Sequence, residues 1–345
     1  MKIIIDAMGG DNAPLEIVKG ALLGMEHWGV EVLLTGDTEA ILRALRDCGH
    51  DTIPRGMEIV HTTETVEMCD DPSKVFRHKK DTSMGVGLTL LRDGKADALV
   101  SAGSTGALLA GATLITKRIR GIRRAAMAPV IPTTGGKAVL IDCGANAECT
   151  PEYLMQFAYL GSFYAGRVLG LERPRVGLLN IGTEPSKGME LQKAAHALLT
   201  QAHEAGRIRF VGNIEGREAI SQGAADVLVT DGFTGNIFLK TVEGAASLFS
   251  HALKDMLLGS TKNKLAALLL KNSIGAFKKR FDANEVGGTA LLGISQPVIK
   301  AHGSSNAYAF FNAIRQAQVV AQADIVGDIA ANVAHMRLEP GEKEG

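Results

Sequence analysis

Short runs that are apolar at almost every position recur along the chain, and stretches with helical periodicity separate most of them. Continuously apolar strands are typical of a parallel sheet that helices cover on both faces. The pattern therefore predicts an α/β fold, a three-layer α/β/α arrangement around a mainly parallel sheet with right-handed crossovers. The predicted strands lie at residues 2–8, 31–35, 58–62, 96–101, 138–142, 176–180, 209–212 and 226–230, and the strand pattern resumes at 287–288.

The helical stretches are clearest at residues 151–169 and 189–205, and a long terminal helix is predicted over about 306–335. The length suits one large α/β domain over residues 1–345, and a division into two lobes that share a cleft stays open. One segment, residues 247–283, departs from the alternation and is treated separately below.

Charge and cysteine content narrow the class of protein. Lysine plus arginine and aspartate plus glutamate each total 37, and this balance argues against a nucleic-acid partner. The four cysteines form no CxxC pair, which favours reduced thiols in a cytoplasmic protein. No signal peptide precedes the first strand, and no apolar run approaches the ~20 residues that a membrane span requires. We therefore expect a cytoplasmic protein.

Small and polar residues collect directly after the predicted strands. In open parallel sheets, ligands bind beyond the carboxyl ends of the strands. Glycine-rich turns there leave backbone N–H groups free at the start of a helix, which suits phosphate or another anion. Such turns also serve plain chain reversal, but seven of them along one sheet favour an anion site. The seven segments are residues 5–14, 101–107, 142–146, 180–188, 212–216, 231–236 and 302–306.

Familiar nucleotide, metal and hydrolase signatures are missing from the sequence. The segment 84–90 has the first two glycines of GxGxxG, but its third position is Leu90. The segment GTEPSKG lacks the spacing of a phosphate-binding P-loop, and neither HExxH nor G-x-S-x-G occurs. The nine histidines form no close ligand pair. We therefore predict no cofactor and no metal.

Four side chains in these turns are the candidates for chemistry. Lys187 can hold a phosphate by charge and hydrogen bonding, or be a solvated lysine at a helix start. Asn213 and Asn236 can orient a polarised carbonyl, or form turns. His302 can carry a proton or cap a turn. The other predicted phosphate- or substrate-binding residues are Asp6, Gly9, Gly10, Ser104, Thr105, Gly106, Asn146, Asn180, Thr183, Glu184 and Asp231.

An amphipathic helical insertion is predicted over residues 247–283. No acidic residue occurs between Asp255 and Asp282, while lysines and leucines are frequent there. The spacing of Leu270, Ile274 and Phe277 is helical, so apolar and basic side chains share the segment. It is either a surface for an acidic or membrane partner or a helix pair that packs in a dimer. The predicted contact residues are Lys264, Leu268, Leu269, Lys271, Phe277 and Lys278.

Four segments together resemble the phosphate acyltransferase family, the acyl-[acyl-carrier-protein]:phosphate acyltransferases of bacterial phospholipid synthesis. They are IDAMGGDNAP (5–14), RHKKDTSM (77–84), NIGTEPSKG (180–188) and DGFTGNIFLK (231–240), and the resemblance is collinear from residue 1 to about 335. Asn12 stands where many members have histidine, and Ser104 where many have asparagine.

This resemblance implies a fold similar to that of phosphotransacetylase and the isopropylmalate-dehydrogenase-like enzymes, and a homodimer. It also implies the transfer of a fatty acyl group from acyl-carrier protein to inorganic phosphate, with an acyl phosphate product that feeds a membrane glycerol-3-phosphate acyltransferase. Lys187 and the loop amides would bind phosphate, and Asn236 would contact the thioester carbonyl. The basic insertion would meet acyl-carrier protein or an anionic membrane surface, which makes the cytoplasmic protein peripherally membrane-associated.

Two other functions stay open at this point. A phosphotransacetylase-like enzyme that uses acetyl-CoA or another short acyl-CoA shares the chemistry, but it would not need the insertion. A catalytically idle module that binds acyl-carrier protein or membrane would not need so many polar strand-end turns.

Overall fold

The computed structural model describes residues 1–275 and 283–336, and it confirms the predicted α/β class. Twelve strands occur in this part of the chain, and they form two sheets rather than the single sheet predicted. The strands are β1 (Lys2–Asp6), β2 (Glu31–Gly36), β3 (Met57–His61), β4 (Ala98–Ser101), β5 (Ala126–Ala128), β6 (Val130–Thr133), β7 (Gly136–Ile141), β8 (Arg175–Asn180), β9 (Arg209–Glu215), β10 (Val227–Val229), β11 (Gly288–Leu292) and β12 (Val298–Ala301).

The first sheet has the strand order β3-β2-β1-β4-β12-β11-β5, and the second has the order β6-β7-β10-β8-β9. Pairing is parallel from β3 to β12 and from β7 to β9, so both sheets are mainly parallel as predicted. Only β11 with its two neighbours and the β6–β7 pair are antiparallel among the described strands. The carboxyl ends of the parallel strands within each sheet therefore meet at one edge.

Helices connect most of the parallel strands. They are α1 (Leu15–Trp28), α2 (Thr38–Asp47), α3 (Val75–His78), α4 (Ser83–Arg92), α5 (Thr105–Gly111), α6 (Pro151–Leu169), α7 (Glu190–Glu204), α8 (Gly216–Ser221), α9 (Gly232–Leu258), α10 (Thr261–Leu269), α11 (Ala283–Val286), α12 (Ala307–Gln322) and α13 (Ile325–Asn332), with a π-helical turn at Ala112–Thr116 and a 3₁₀ turn at Val333–Met336. Residues 271–275 are also helical.

Side chains on the two faces of the strands enter different cores. Ile3 and Ile5 on β1 belong to one buried cluster, while Ile4 belongs to a second. The second cluster, which we call the inter-sheet core, joins Ile4 and Leu99 of the first sheet to Leu140 and Leu228 of the second. Burial of both strand faces explains the continuously apolar strand sequences.

The turn predicted at residues 212–216 is wrong, because β9 continues to Glu215. Val176 pairs with Phe210 and Leu178 with Asn213, so β9 has one extra residue in this stretch. Gly212 adopts a positive φ of 98° beside this irregularity. The glycine thus allows a β-bulge instead of ending the strand.

The long terminal helix predicted over 306–335 is divided. Its first part ends at Gln322, and α13 begins at Ile325. Asp324 between them has φ +47° and accepts a hydrogen bond from Gly327 N, so it caps the second helix. The apolar spacing alone continues a helical pattern across this point, but the left-handed conformation of Asp324 interrupts the helix.

The predicted insertion begins inside a helix. α9 starts at Gly232 and runs to Leu258, about 40 Å at the usual rise per residue. Only Gly232 and Gly235 of α9 are fully buried. Phe238 and Leu239 are partly buried against the inter-sheet core, and exposed apolar residues such as Leu248 and Phe249 follow farther along the helix. After Gly259, Ser260 caps α10 by accepting a hydrogen bond from Asn263 N.

Candidate functional site

The carboxyl edge of the first sheet carries a polar row across three neighbouring strands. Asp6 and Ser101 end β1 and β4, and Lys300 is the last residue but one of β12. All three lie on the face of the inter-sheet core, since they alternate with Ile4, Leu99 and Val298. Ser101 Oγ donates to Asp6 Oδ2 at 2.6 Å, and Ser83 Oγ donates to Oδ1 at 2.6 Å. Burial raises the pKa of the Asp6 carboxyl, and these hydrogen bonds oppose that rise.

Three strand-end loops pack together above this row. Asp11 N donates to Gly303 O at 2.8 Å, and Asn12 Nδ2 donates to Ser304 O at 3.2 Å. A Cβ on Gly10, whose φ is +101°, would lie 2.9 Å from both Ala102 Cβ and Gly303 O. Gly10 therefore lets the loop after β1 approach the loops after β4 and β12.

The second sheet has a buried carboxylate in the corresponding place, Asp142 after β7. It accepts hydrogen bonds from the backbone N–H groups of Met127, Cys143, Ala145 and Asn146, and from Asn146 Nδ2. Burial raises its pKa, and the hydrogen bonds oppose the rise. Since Met127 belongs to β5, this carboxylate also joins the two sheets.

The loop after β8 presents Lys187 at its exposed surface. Asn180 closes this loop, since its Oδ1 accepts from Ile181 N at 2.8 Å and its Nδ2 donates to Lys187 O at 3.1 Å. Asn213 is buried within β9, and its Nδ2 donates to Glu184 O at 2.8 Å. Both asparagines therefore shape the loop, and Asn213 is held on the protein rather than presented to solvent.

The first turn of α9 presents Asn236 beside the loop after β7. Asp231 caps the helix, accepting from Thr234 N and Thr234 Oγ1 at 2.8 Å each. A Cβ on Gly144 would lie 3.8 Å from Asn236 Oδ1. Because β10 pairs with β8 and with β7, the turn of Asn236 lies between the loops of Lys187 and Gly144.

The predicted site residues thus fall into two groups. Lys187, Asn236, His302, Thr183 and Glu184 have exposed side chains at the strand ends. The imidazole Nδ1 of His302 lies 2.9 Å from Ser304 Oγ. Thr105 and Gly106 lie in the first turn of α5. The others form the framework by close glycine packing, helix caps or hydrogen bonds to the loops: Asp6, Gly9, Gly10, Ser104, Asn146, Asn180, Asn213 and Asp231. Their roles toward a substrate stay predictions.

Sequence reasoning did not name Lys300, Ser83, Ser101 or Asp142 as site residues, although Ser101 and Asp142 begin two of the predicted strand-end segments. Lys300 is only 8% exposed, and burial lowers its pKa to about 8. A lysine in the otherwise apolar strand Val298–Ala301 is a signal that could have been noticed, because charged residues are almost never fully buried without a partner. The two serines gave no such signal, since their importance depends on their distance to Asp6.

The thiols in the second sheet are unsuited to nucleophilic attack. Burial raises the pKa of Cys149 to about 12 and that of Cys143 further, so both stay protonated near neutral pH. Within residues 1–275 and 283–336, no group of three or more His, Cys, Asp or Glu side chains is arranged to hold a metal ion.

Two surface cavities, of about 380 and 900 Å³, lie away from the strand-end loops. Their linings include the strand starts Arg209 and Glu31, and none of the predicted site residues. The candidate site is therefore not one of these two cavities.

The predicted contact residues of the insertion are exposed where the structure describes them. Lys264, Leu268, Leu269 and Lys271 all have exposed side chains, with Leu269 81% exposed. Phe277 and Lys278 lie outside the described residues. No helix in the described part of the chain combines the length and apolarity that crossing a membrane requires.

Fold and site together define an α/β protein whose ligands are expected at the carboxyl ends of parallel strands. The sequence profile of a family described as fatty acid synthesis protein matches residues 1–327. Two similar relatives are both named phosphate acyltransferase. That of Thermoanaerobacterium thermosaccharolyticum is 44% identical, covering 96% of this chain and 97% of the relative, and that of Lysinibacillus sphaericus is 46% identical, covering 98% and 100%. The chain belongs to the phosphate acyltransferase family.

Solved structures agree with this fold at low sequence identity. A phosphotransacetylase from Streptococcus pyogenes superposes with a TM-score of 0.62 at 19% identity, covering 93% of this chain and 94% of that one. A branched-chain phosphotransacylase from Enterococcus faecalis has a TM-score of 0.57 at 18% identity, with 92% and 99% coverage. The predicted likeness to phosphotransacetylase is confirmed at the level of fold.

Proposed function

We propose that this protein transfers a long-chain fatty acyl group from the thioester of acyl-carrier protein to inorganic phosphate, giving acyl phosphate for phospholipid synthesis. Family membership supports acyl transfer to phosphate. The observation that carries the proposal is the juxtaposition of Lys187 and Asn236. Lys187 is an exposed cation in the loop after β8, and Asn236 is an exposed carboxamide near the start of α9, which follows the paired strand β10.

The chemistry needs little more than these groups. A phosphate oxygen attacks the thioester carbon, the C–S bond breaks, and the proton of the phosphate finally resides on the carrier thiol. Lys187 and the free loop N–H groups neutralise and orient the phosphate. Asn236 Nδ2 donates to the oxyanion of the tetrahedral intermediate, where charge develops. His302 is exposed at the neighbouring edge and is the candidate proton carrier.

Direct transfer, with no acyl-enzyme, follows from the nature of the nucleophile. Phosphate is already anionic at neutral pH, so no side chain has to be activated for the first step. The protonated state of Cys143 and Cys149 is consistent with this.

One assay tests the proposal against its alternatives. The protein is incubated with phosphate and either palmitoyl-carrier protein or acetyl-CoA, and acyl phosphate is trapped with hydroxylamine. Palmitoyl hydroxamate is expected from the carrier substrate. Product from acetyl-CoA alone would indicate a short-chain phosphotransacetylase, and no product from either would indicate a binding module. Intact mass after incubation without phosphate should show no acyl adduct; a stable adduct would refute direct transfer.

We also propose that the insertion attaches the protein to an anionic membrane surface, near the membrane glycerol-3-phosphate acyltransferase that would use the product. Leu268 and Leu269 are exposed on α10 close to Lys264 and Lys271. Apolar side chains flanked by lysines suit a position in the headgroup region. The same basic segment suits acidic acyl-carrier protein.

The apolar residues Leu248 and Phe249, exposed on α9, offer a surface for the proposed homodimer.

A further inference from the structure

Lys300 is a buried cation without a close carboxylate. It pairs in register with Ser101 of β4, and Ser101 Oγ binds Asp6. Among the described residues, Lys300 has no ion pair within 4.0 Å. Its Nζ donates instead to Ala301 O and, at 3.4 Å, to Ala102 O. A buried charge held only by carbonyl groups is costly, so fold stability gives no reason for a lysine at this position.

The two acceptor carbonyls begin the strand-end loops after β4 and β12. The loop after β1 contacts both of these loops, since Gly10 approaches Ala102 and Gly303, and Asp11 N donates to Gly303 O. The ammonium thus bridges two loops from below, on the side of the inter-sheet core. It also places a positive charge at the base of both loops.

Three charged side chains influence the pKa of Lys300. Asp6 on β1 and Asp11 in the following loop favour its protonated form, while Lys240 on α9 opposes it. His302 follows in the next loop, with its imidazole directed to Ser304. Desolvation is the largest influence, and it lowers the pKa of Lys300 to about 8. The ammonium is therefore present at neutral pH and is lost as the pH rises through about 8.

We propose that Lys300 is a positioning residue that holds the loops after β4 and β12 in an anion-binding arrangement and provides the positive charge beneath them for inorganic phosphate. This inference rests on the proposed function, because it names a further residue for the same reaction. The phosphate monoester of a carrier prosthetic group has the same chemistry, and the test distinguishes the two sources.

The test compares wild type with Lys300→Met, Lys300→Arg and Lys240→Met. The kcat and KM values for inorganic phosphate and for palmitoyl-carrier protein are measured between about pH 6.5 and 9.5. In wild type, KM for phosphate should rise as the pH passes through about 8. Lys300→Met should raise KM for phosphate about tenfold or more at neutral pH and abolish the pH dependence. Lys300→Arg, which stays charged, should keep a low KM at high pH.

Lys240→Met is the control for a merely structural role. Removing the opposing charge should move the rise in KM to higher pH without removing it. Circular dichroism checks that each variant is folded.

Distinct outcomes overturn distinct claims. An unchanged KM and pH profile in Lys300→Met and Lys300→Arg would refute the role of Lys300 while leaving the proposed reaction intact. A rise only in KM for the carrier substrate would assign the charge to the carrier's phosphate and contradict the assignment to inorganic phosphate. If wild type produces no acyl phosphate, the proposed function fails, and calorimetric titration with inorganic phosphate then tests Lys300 independently. Equal affinity of wild type and Lys300→Met in that titration would refute the inference.

Discussion

At the scale of single residues, two kinds of polar side chain occur at the strand ends: buried carboxylates that fix the loops, and exposed groups that can contact a ligand. Asp6 and Asp142 are buried and fully hydrogen-bonded, whereas Lys187 and Asn236 are exposed. The carboxylates collect backbone and hydroxyl donors and thereby fix the loops. The exposed groups can then contact a ligand while the buried carboxylates hold the loops in place, as a preorganised site requires.

The role of Asn236 is tested by Asn236→Ala. Loss of one oxyanion donor should lower kcat by about 10²- to 10³-fold with little change in KM for phosphate. Asn263→Ala is a matched control, because Asn263 is exposed on α10 outside the strand-end loops. Steady-state kinetics at saturating carrier substrate provide the comparison. If the two variants have equal kcat, Asn236 does not stabilise the oxyanion.

Replacement of Asp142 should affect stability. Asp142→Ala leaves five donor contacts, two of them buried and three part-buried, without their acceptor, so we expect a loss of at least about 3 kcal/mol in the free energy of unfolding. The surface pair of Arg167 and Asp328 is the contrast, and Asp328→Ala should cost less than about 1 kcal/mol. Urea denaturation measures both values. Similar losses for the two variants would contradict the framework role of Asp142.

At the scale of elements, α9 connects the candidate site to the insertion. Its first turn carries Asn236 and packs tightly on the loop after β7, while its far end leads to α10 and the exposed leucines. A helix of this length is stiff, so the position of its first turn fixes the direction of the insertion. The tight packing depends on Gly235, where any side chain would overlap the carbonyl oxygen of Asp142.

Alanine substitutions at two glycines of α9 are therefore expected to change the stability of the protein in opposite directions. Gly235→Ala should destabilise the protein by about 1–3 kcal/mol through overpacking, and it should also lower kcat because Asn236 is displaced. Gly244 is exposed in the same helix with no atom near its Cβ position, so Gly244→Ala should stabilise it by about 0.5–1 kcal/mol. Thermal denaturation of both variants checks the signs. A neutral Gly235→Ala would show that α9 is not tightly seated.

At the scale of the whole molecule, the candidate-site loops and the insertion are separate surfaces joined by α9. The candidate site needs the protein's own rigid sheets, while the insertion exposes apolar residues that the described residues leave uncovered. A membrane or a second copy of the chain can cover them. A negative charge introduced on α10 would weaken membrane binding in the first case and dimer formation in the second.

The double variant Leu268→Glu/Leu269→Glu should lose binding to anionic phospholipid vesicles in a flotation assay, because it removes buried apolar area and adds negative charge. Met68→Glu is the matched control: Met68 is 83% exposed but lies outside the insertion, so binding should persist. Hydroxamate formation in solution should survive in both variants. Undiminished flotation of the double variant would exclude membrane attachment through α10, and a change only in molecular mass by light scattering would point to the dimer.

The α/β class, most strands and the strand-end loops other than that at 212–216 could be predicted from the sequence, because these depend on local periodicity and composition. Tertiary structure decided that the strands form two sheets, since strand order depends on pairing between distant segments. It also decided which polar groups are buried: Lys300 joins Ser101 and Asp6 only because β12 inserts between β4 and β11. Local sequence shows a residue's chemistry, but burial and neighbours, which fix its charge state and role, arise only when the sheets are assembled.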